Sequence, residues 1–160
     1  MFQWDPGDGS DVVEGQDGLN TMLFNGSNGN ENFDVSANGQ RVRFARNLAN
    51  ITMDTDGVEK LDLNALGGVD NLAVHDMTGT ALSEIATELA ATPGSGVGDG
   101  VADSVTVDGT VGDDVVMVAG QGSDVQMIGL ATSITVSGAE PALDRLTISA
   151  SDGSDVVDAS

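Results

Sequence analysis

A recurring unit of about forty residues constrains this chain more than any other feature. Asn20-x-Met22-x-Phe24 is followed, seven residues after the Phe, by Glu31-x-Phe33. Glu59-x-Leu61-x-Leu63 leads in the same way to Asp70-x-Leu72, Asp103-x-Val105-x-Val107 to Asp114-x-Val116, and Asp144-x-Leu146-x-Ile148 to Asp155-x-Val157. Successive copies of the second acid lie 39, 44 and 41 positions apart. A period of this length is the mark of solenoids and arrays, in which each unit buries its apolar face only against its neighbours. The two-residue apolar spacing within each copy predicts half-buried strands, with the Gly-x-acid step between them as a corner. A second, longer identity runs from Phe33-x-Val35, Gly39, Val42-x-Phe44 and Ile51-Thr52-Met53 to Val116-x-Val118, Gly122, Val125-x-Met127 and Ile134-Thr135-Val136, 83 positions later. Whole structural units are therefore duplicated.

The opening stretch 6–34 adds a chemical signal. It reads PGDGSDVVE, GQDGLNTML, Phe24-Asn25, then GSNGNENFD. Each nonapeptide has glycine fourth (Gly9, Gly18, Gly29), an acid or amide sixth (Asp11, Asn20, Glu31) and an apolar residue eighth (Val13, Met22, Phe33). This is a decayed form of the G-G-x-G-x-D-x-U-x pattern of calcium-binding β-helix repeats. Glycines permit a tight turn in which carbonyls converge, and carboxylates complete the oxygen cage that a hard cation requires. The expected metal ligands are Asp8, Asp11, Asn20, Glu31, Asp70, Asp114 and Asp155. The alternative for the later acids is hydrogen bonding to backbone amides at the corners.

Charge narrows the partners. With 26 acids against 5 bases the formal charge is −21, which excludes nucleic acid and disfavours anionic membrane surfaces. Leu, Ile, Val and Phe make up about a quarter of the chain, above the ~20% level that signals disorder. Cysteine is absent, so neither disulfides nor thiolate metal sites arise. No transmembrane run or signal peptide is visible. The last residues, Asp155 to Ser160, fall inside a repeat and suggest a piece of a longer chain. Stacked carboxylates ~4.8 Å apart repel by about 0.9 kcal/mol even in bulk water, so a cation bound between turns would favour the folded form.

Other residues carry weaker signals. Residues 81–91 are predicted as a strand through Ile85, Thr87 and Leu89 rather than a helix, and 91–103 as a loop in which Asp99 is a further candidate ion ligand. His75 is expected in a solvated turn. Arg41, Arg43 and Arg46 form the basic cluster; Arg41 and Arg43, flanking Val42, are expected on the outer strand face, neutralising nearby acids, and with Trp4 they are the candidate glycan contacts. Trp4 is more simply a cap on the first coil. No catalytic constellation is legible.

WDPGDGSDVVEGQDG at the start, LDLNALGGVDNLAV (61–74), SVTVDGTVGDDVVMV (104–118) and the final ITVSGAEPALDRLTISASDGSDVVDAS resemble segments of bacterial hemolysin-type, RTX-like, calcium-binding proteins. The resemblance implies a secreted or cell-surface module that binds Ca²⁺ between stacked Gly-Asp turns. The combined expectation is a single all-β domain over 1–160, a parallel β-solenoid of roughly eight coils. It would be non-enzymatic, structural and adhesive, stiffened by calcium and stacking with flanking repeats or copies of itself. The alternative is a carbohydrate-active or glycan-binding β-helix.

Overall fold

The computed structural model describes residues 1–159. The chain passes back and forth between two sheets, here I and II. β1 (Phe2–Trp4) lies in I, β2 (Asp11–Glu14) in II and β3 (Thr21–Ser27) in I. β4 (Asn32–Asn38), β5 (Arg41–Arg46) and β6 (Ile51–Asp56) form a meander in II. β7 (Lys60–Leu66) returns to I, β8 (Asn71–Val74) to II, β9 (Glu84–Glu88) to I and β10 (Ser104–Asp108) to II. A second meander, β11 (Val115–Gln121), β12 (Asp124–Ile128) and β13 (Ser133–Ser137), lies in I. β14 (Arg145–Ser149) closes II and β15 (Val156–Ala159) closes I. Among the described residues no helix is long and apolar enough to cross a membrane.

The chain is all-β, as expected, but both sheets are mixed, and a purely parallel solenoid of eight coils is not what forms. The sheet-crossing strands stack in parallel, as in β3·β7, β7·β9, β4·β8, β8·β10 and β10·β14. Each meander instead folds back on itself, with β4·β5, β5·β6, β11·β12 and β12·β13 antiparallel. The cause is local. Asn38 pairs with Arg41 and Gln121 with Asp124, leaving the two-residue turns Gly39-Gln40 and Gly122-Ser123. Both glycines sit at positive φ, 67° and 66°, the conformation that reverses a strand in two residues.

β3–β8 and β10–β15 are the two copies of the duplicated unit. Their registers superpose: Met22 faces Leu61 as Val105 faces Leu146, and Phe33 faces Leu72 as Val116 faces Val157. The first copy begins in sheet I and the second in sheet II, so equivalent strands occupy opposite sheets. Alternating residues of each strand point between the sheets, giving Met22 and Phe24, Leu61 and Leu63, and Val105 and Val107 buried positions. The first copy is filled by aromatics: Trp4 stacks on Phe24 with centroids 4.0 Å apart, and Phe44 lies 4.6 Å from Phe24. β9 confirms the strand reading of 81–91, with Ile85 and Thr87 buried, and 91–103 contains no strand.

The Gly-x-acid step is where coils touch backbone to backbone. Gly68 has φ 117°, and a Cβ there would lie 2.7 Å from the Gly29 carbonyl carbon. Its counterpart Gly153, φ 130°, would meet the Gly112 oxygen at 2.5 Å. Gly68→Ala should cost at least ~2 kcal/mol, from strain at positive φ plus overpacking. Gly39→Ala, with open space around it, should cost less. Urea unfolding of the two variants checks the order, and equal losses would contradict the corner-contact account.

Candidate functional site: a row of buried corner carboxylates

The acids of the forty-residue repeat stand in rows across the stacked coils. In the longest row the Glu31 amide donates to Asp70 Oδ1 (2.8 Å), the Asp70 amide to Asp103 Oδ1 (2.8 Å), and the Asp103 amide to Asp144 Oδ1 (2.9 Å). Two shorter steps repeat the geometry: Asn20 amide to Glu59 Oε2 (2.6 Å) and Asp114 amide to Asp155 Oδ1 (2.9 Å). Each carboxylate thus staples its own corner to the backbone of the neighbouring coil. A corner amide lies outside the strand ladder, and burying it unpaired would be costly. An ionised acceptor makes the bond about twice as strong as a neutral one.

The second carboxylate oxygen usually turns back within its own corner. Glu31 Oε2 accepts the Ser27 amide at 2.6 Å, Asp114 Oδ2 that of Thr110 at 2.7 Å and Asp144 Oδ2 that of Glu140 at 2.6 Å. Asp70 differs. Its residue is only 3% exposed, and its Oδ2 is buried with no hydrogen-bond partner. Burial pushes the Asp70 carboxyl up to about 8, against the opposing effect of the Glu31 amide bond and with help from the Asp103, Glu31 and Asp99 charges. Burial likewise raises Asp103 to about 6.

Charge compensation is confined to one end of the row. Glu31, fully buried, is paired with the guanidinium of Arg46, which is 6% exposed. Arg46 Nη2 also donates to Ser27 Oγ at 3.1 Å, and the guanidinium lies 5.3 Å from the Trp4 ring centroid. Arg46 belongs to the basic cluster in sequence but lies apart from Arg41 and Arg43, which pair with acids on the outer face as expected. It shares the parity of Val42 and Phe44 along β5, and that parity alone places it inside. No Lys or Arg salt bridge reaches Asp70 or Asp103 among the described residues.

The seven expected metal ligands do not come together. Glu31, Asp70, Asp114 and Asp155 occupy the staples just described, and Asn20 donates its side-chain amide to the Gly57 carbonyl at 3.1 Å. Asp8 is exposed and accepts the Asp5 amide at 2.8 Å. Asp11 is exposed on β2 opposite Met53. No three His, Cys, Asp or Glu side chains converge on one point among the described residues. These seven residues therefore form no shared cage of carboxylates among the described residues. Asp103, Asp144 and Glu59, repeat acids left out of the expected set, complete the rows. Asp99 caps the Gly68 amide at 2.8 Å, so the 91–103 loop is tied to the corner.

His75 is not in a free turn. It bridges three adjacent strands of sheet II, with Nε2 2.9 Å from Asp34 Oδ2 and Nδ1 2.8 Å from Asp108 Oδ2. Both contacts are hydrogen bonds only when both ring nitrogens carry protons. The Asp34 bond, more than the Asp108 bond, raises the His75 pKa against the opposing effect of burial.

The expected glycan contacts are otherwise engaged. Trp4 is 2% exposed, with its indole N–H bound to the Gly9 carbonyl at 2.6 Å, so it caps the core and cannot stack on a sugar. Arg41 pairs with Glu14 and Asp54, and Arg43 with Asp34. Comparison of this chain with protein-family models, with curated proteins and with solved structures finds no match.

Proposed function

We propose that this chain is a structural module, a rigid two-sheet stack that serves as a spacer or adhesive segment of a larger extracellular bacterial protein. The observation that carries this reading is the row Glu31, Asp70, Asp103, Asp144, in which the most regular acids of the sequence bond coil to coil through backbone amides. Residues spent in this way hold shape. The resemblance of its segments to hemolysin-type repeats supports the extracellular placement. In this reading the net charge of −21 keeps the module soluble and apart from nucleic acid.

A second reading adds a divalent cation. One observation favours it: the unpartnered, buried Asp70 Oδ2, with the Asp103 and Asp99 charges acting on it and no Lys or Arg salt bridge to it among the described residues. Bound there, a cation would supply charge neutralisation at the corner.

A melt followed by circular dichroism in EDTA, then in Ca²⁺ and Mg²⁺ at matched ionic strength, separates the two. The stapled-corner reading expects a cooperative melt in EDTA, with the same small rise in Tm in either ion. A strand signal that exists only with Ca²⁺ would overturn it and establish the cation reading.

A further inference from the structure

We infer that the end of the stack formed by β14 and β15 is a docking surface for another unit of this same repeat, one that opens with strands of the β9 and β10 type. The inference rests on the structural-module reading above. The template is inside the chain. In the first copy of the duplicated unit, β7 is covered by β9 and β8 by β10, both parallel. The equivalent strands of the second copy, β14 and β15, each have a neighbour on one side only.

Burial differs accordingly at equivalent positions. Leu61 and Leu63 on β7 and Leu72 on β8 are buried to 3% exposure or less. Their counterparts Leu146 and Ile148 are only partly buried, and Val157 is 45% exposed. Val115, Met117 and Val156, of the opposite strand parity, are exposed on the outer face of sheet I.

Polar groups at this end are also half-matched. The Asp70 amide crosses the internal joint to Asp103 Oδ1 at 2.8 Å. The Asp155 amide holds the same place in the second copy, and no carboxylate stands opposite it among the described residues. Across the internal joint Lys60 is in register with Glu84 and bonds it at 2.9 Å. Arg145 is the counterpart of Lys60, is exposed, and forms no salt bridge among the described residues. The incoming strand therefore needs an acid at the Glu84 position, apolar residues opposite Leu146 and Val157, and a corner carboxylate for Asp155.

The opposite end of the same chain is built differently and does not present strands of the β9 and β10 type. β1 already covers β3 there as β8 covers β10, with Phe2 opposite Met22 where Leu72 lies opposite Val105. Trp4, buried on Phe24, locks that strand in place. The joint inferred here is the one at β14 and β15.

The test is the full chain followed by a second copy of residues 76–160, compared with the unextended chain by hydrogen exchange and thermal melting. The expected result is one cooperative transition, a higher Tm, and amide exchange in 145–149 and 155–159 slowed roughly tenfold or more. Arg145→Glu should remove much of that protection, and Glu84→Arg in the appended copy should restore it. An appended unit that stays unfolded, unchanged exchange at β14 and β15, or no rescue by charge reversal would each overturn the proposal. The unextended chain should sediment as a monomer; a dimer that protects β14 and β15 would make a second copy the occupant and also overturn it. A cooperative melt of the unextended chain keeps the structural reading independent of this outcome.

Discussion

Arg46→Met is expected to lower the unfolding free energy by about 3–5 kcal/mol, the cost of leaving a buried charge without its partner. Glu31 has no exposed surface, and Arg46 is the one cation paired with it among the described residues. Methionine matches the aliphatic volume of arginine but takes away the ion pair, the bond to Ser27 Oγ and the position over the Trp4 ring. Glu31 keeps the Ser27 amide, which is too little to hold a carboxylate in an apolar interior. The double variant Glu31→Gln with Arg46→Met should recover most of the loss, because a neutral amide can still accept from Ser27. Arg43→Ala, whose pair with Asp34 is half exposed, is the control and should barely move the urea midpoint. A single Arg46→Met variant as stable as the parent would show that the pair contributes nothing to holding the row.

The second large effect is on pH dependence. Stability should fall as pH rises from about 5 to about 9, by on the order of a few kcal/mol, at constant ionic strength. Asp70 has its folded pKa raised from 3.8 to about 8 and Asp103 from 3.8 to about 6. A raised carboxyl binds its proton more tightly in the folded state. Its contribution is complete below the unfolded pKa and is lost as pH climbs through the folded one. His75 has the same sign. Facing Asp34 and Asp108, with Arg43 on the far side of Asp34, it ties β4, β8 and β10 together while doubly protonated and releases one of them on losing a proton. Asp70→Asn keeps an oxygen for the Glu31 amide and should flatten the upper part of the profile, so that the variant overtakes the parent in Tm at alkaline pH. A parent Tm that rises between pH 6 and 9, or an Asp70→Asn profile parallel to the parent's, would refute this assignment.

The strands were legible because their cause is local. Leu61/Leu63, Val105/Val107 and Ile85/Thr87 alternate at the period of a half-buried strand, and the structure buries them as such. The corners were legible as well, since Gly68 and Gly153 sit two residues before their acids and are needed for backbone contact between coils. Even the meander turns left a sign: Gly39-Gln40 and Gly122-Ser123, each a glycine-first pair between alternating apolar runs, suit a two-residue hairpin loop.

The acids illustrate the limit. An Asp after Gly-x can hold a metal or accept an amide, and the residue types are the same for both. The choice depends on which groups from coils about forty residues away arrive at its oxygens: the Glu31 amide at Asp70, the Asp70 amide at Asp103. His75 depends likewise on partners 41 and 33 positions distant. The sequence by itself determined the strands, the corners and the duplication, because turn chemistry and apolar period act over a few residues. Only the tertiary structure decided what the acids bond to and that β14 and β15 lack the cover given to β7 and β8, because those follow from which coils lie side by side.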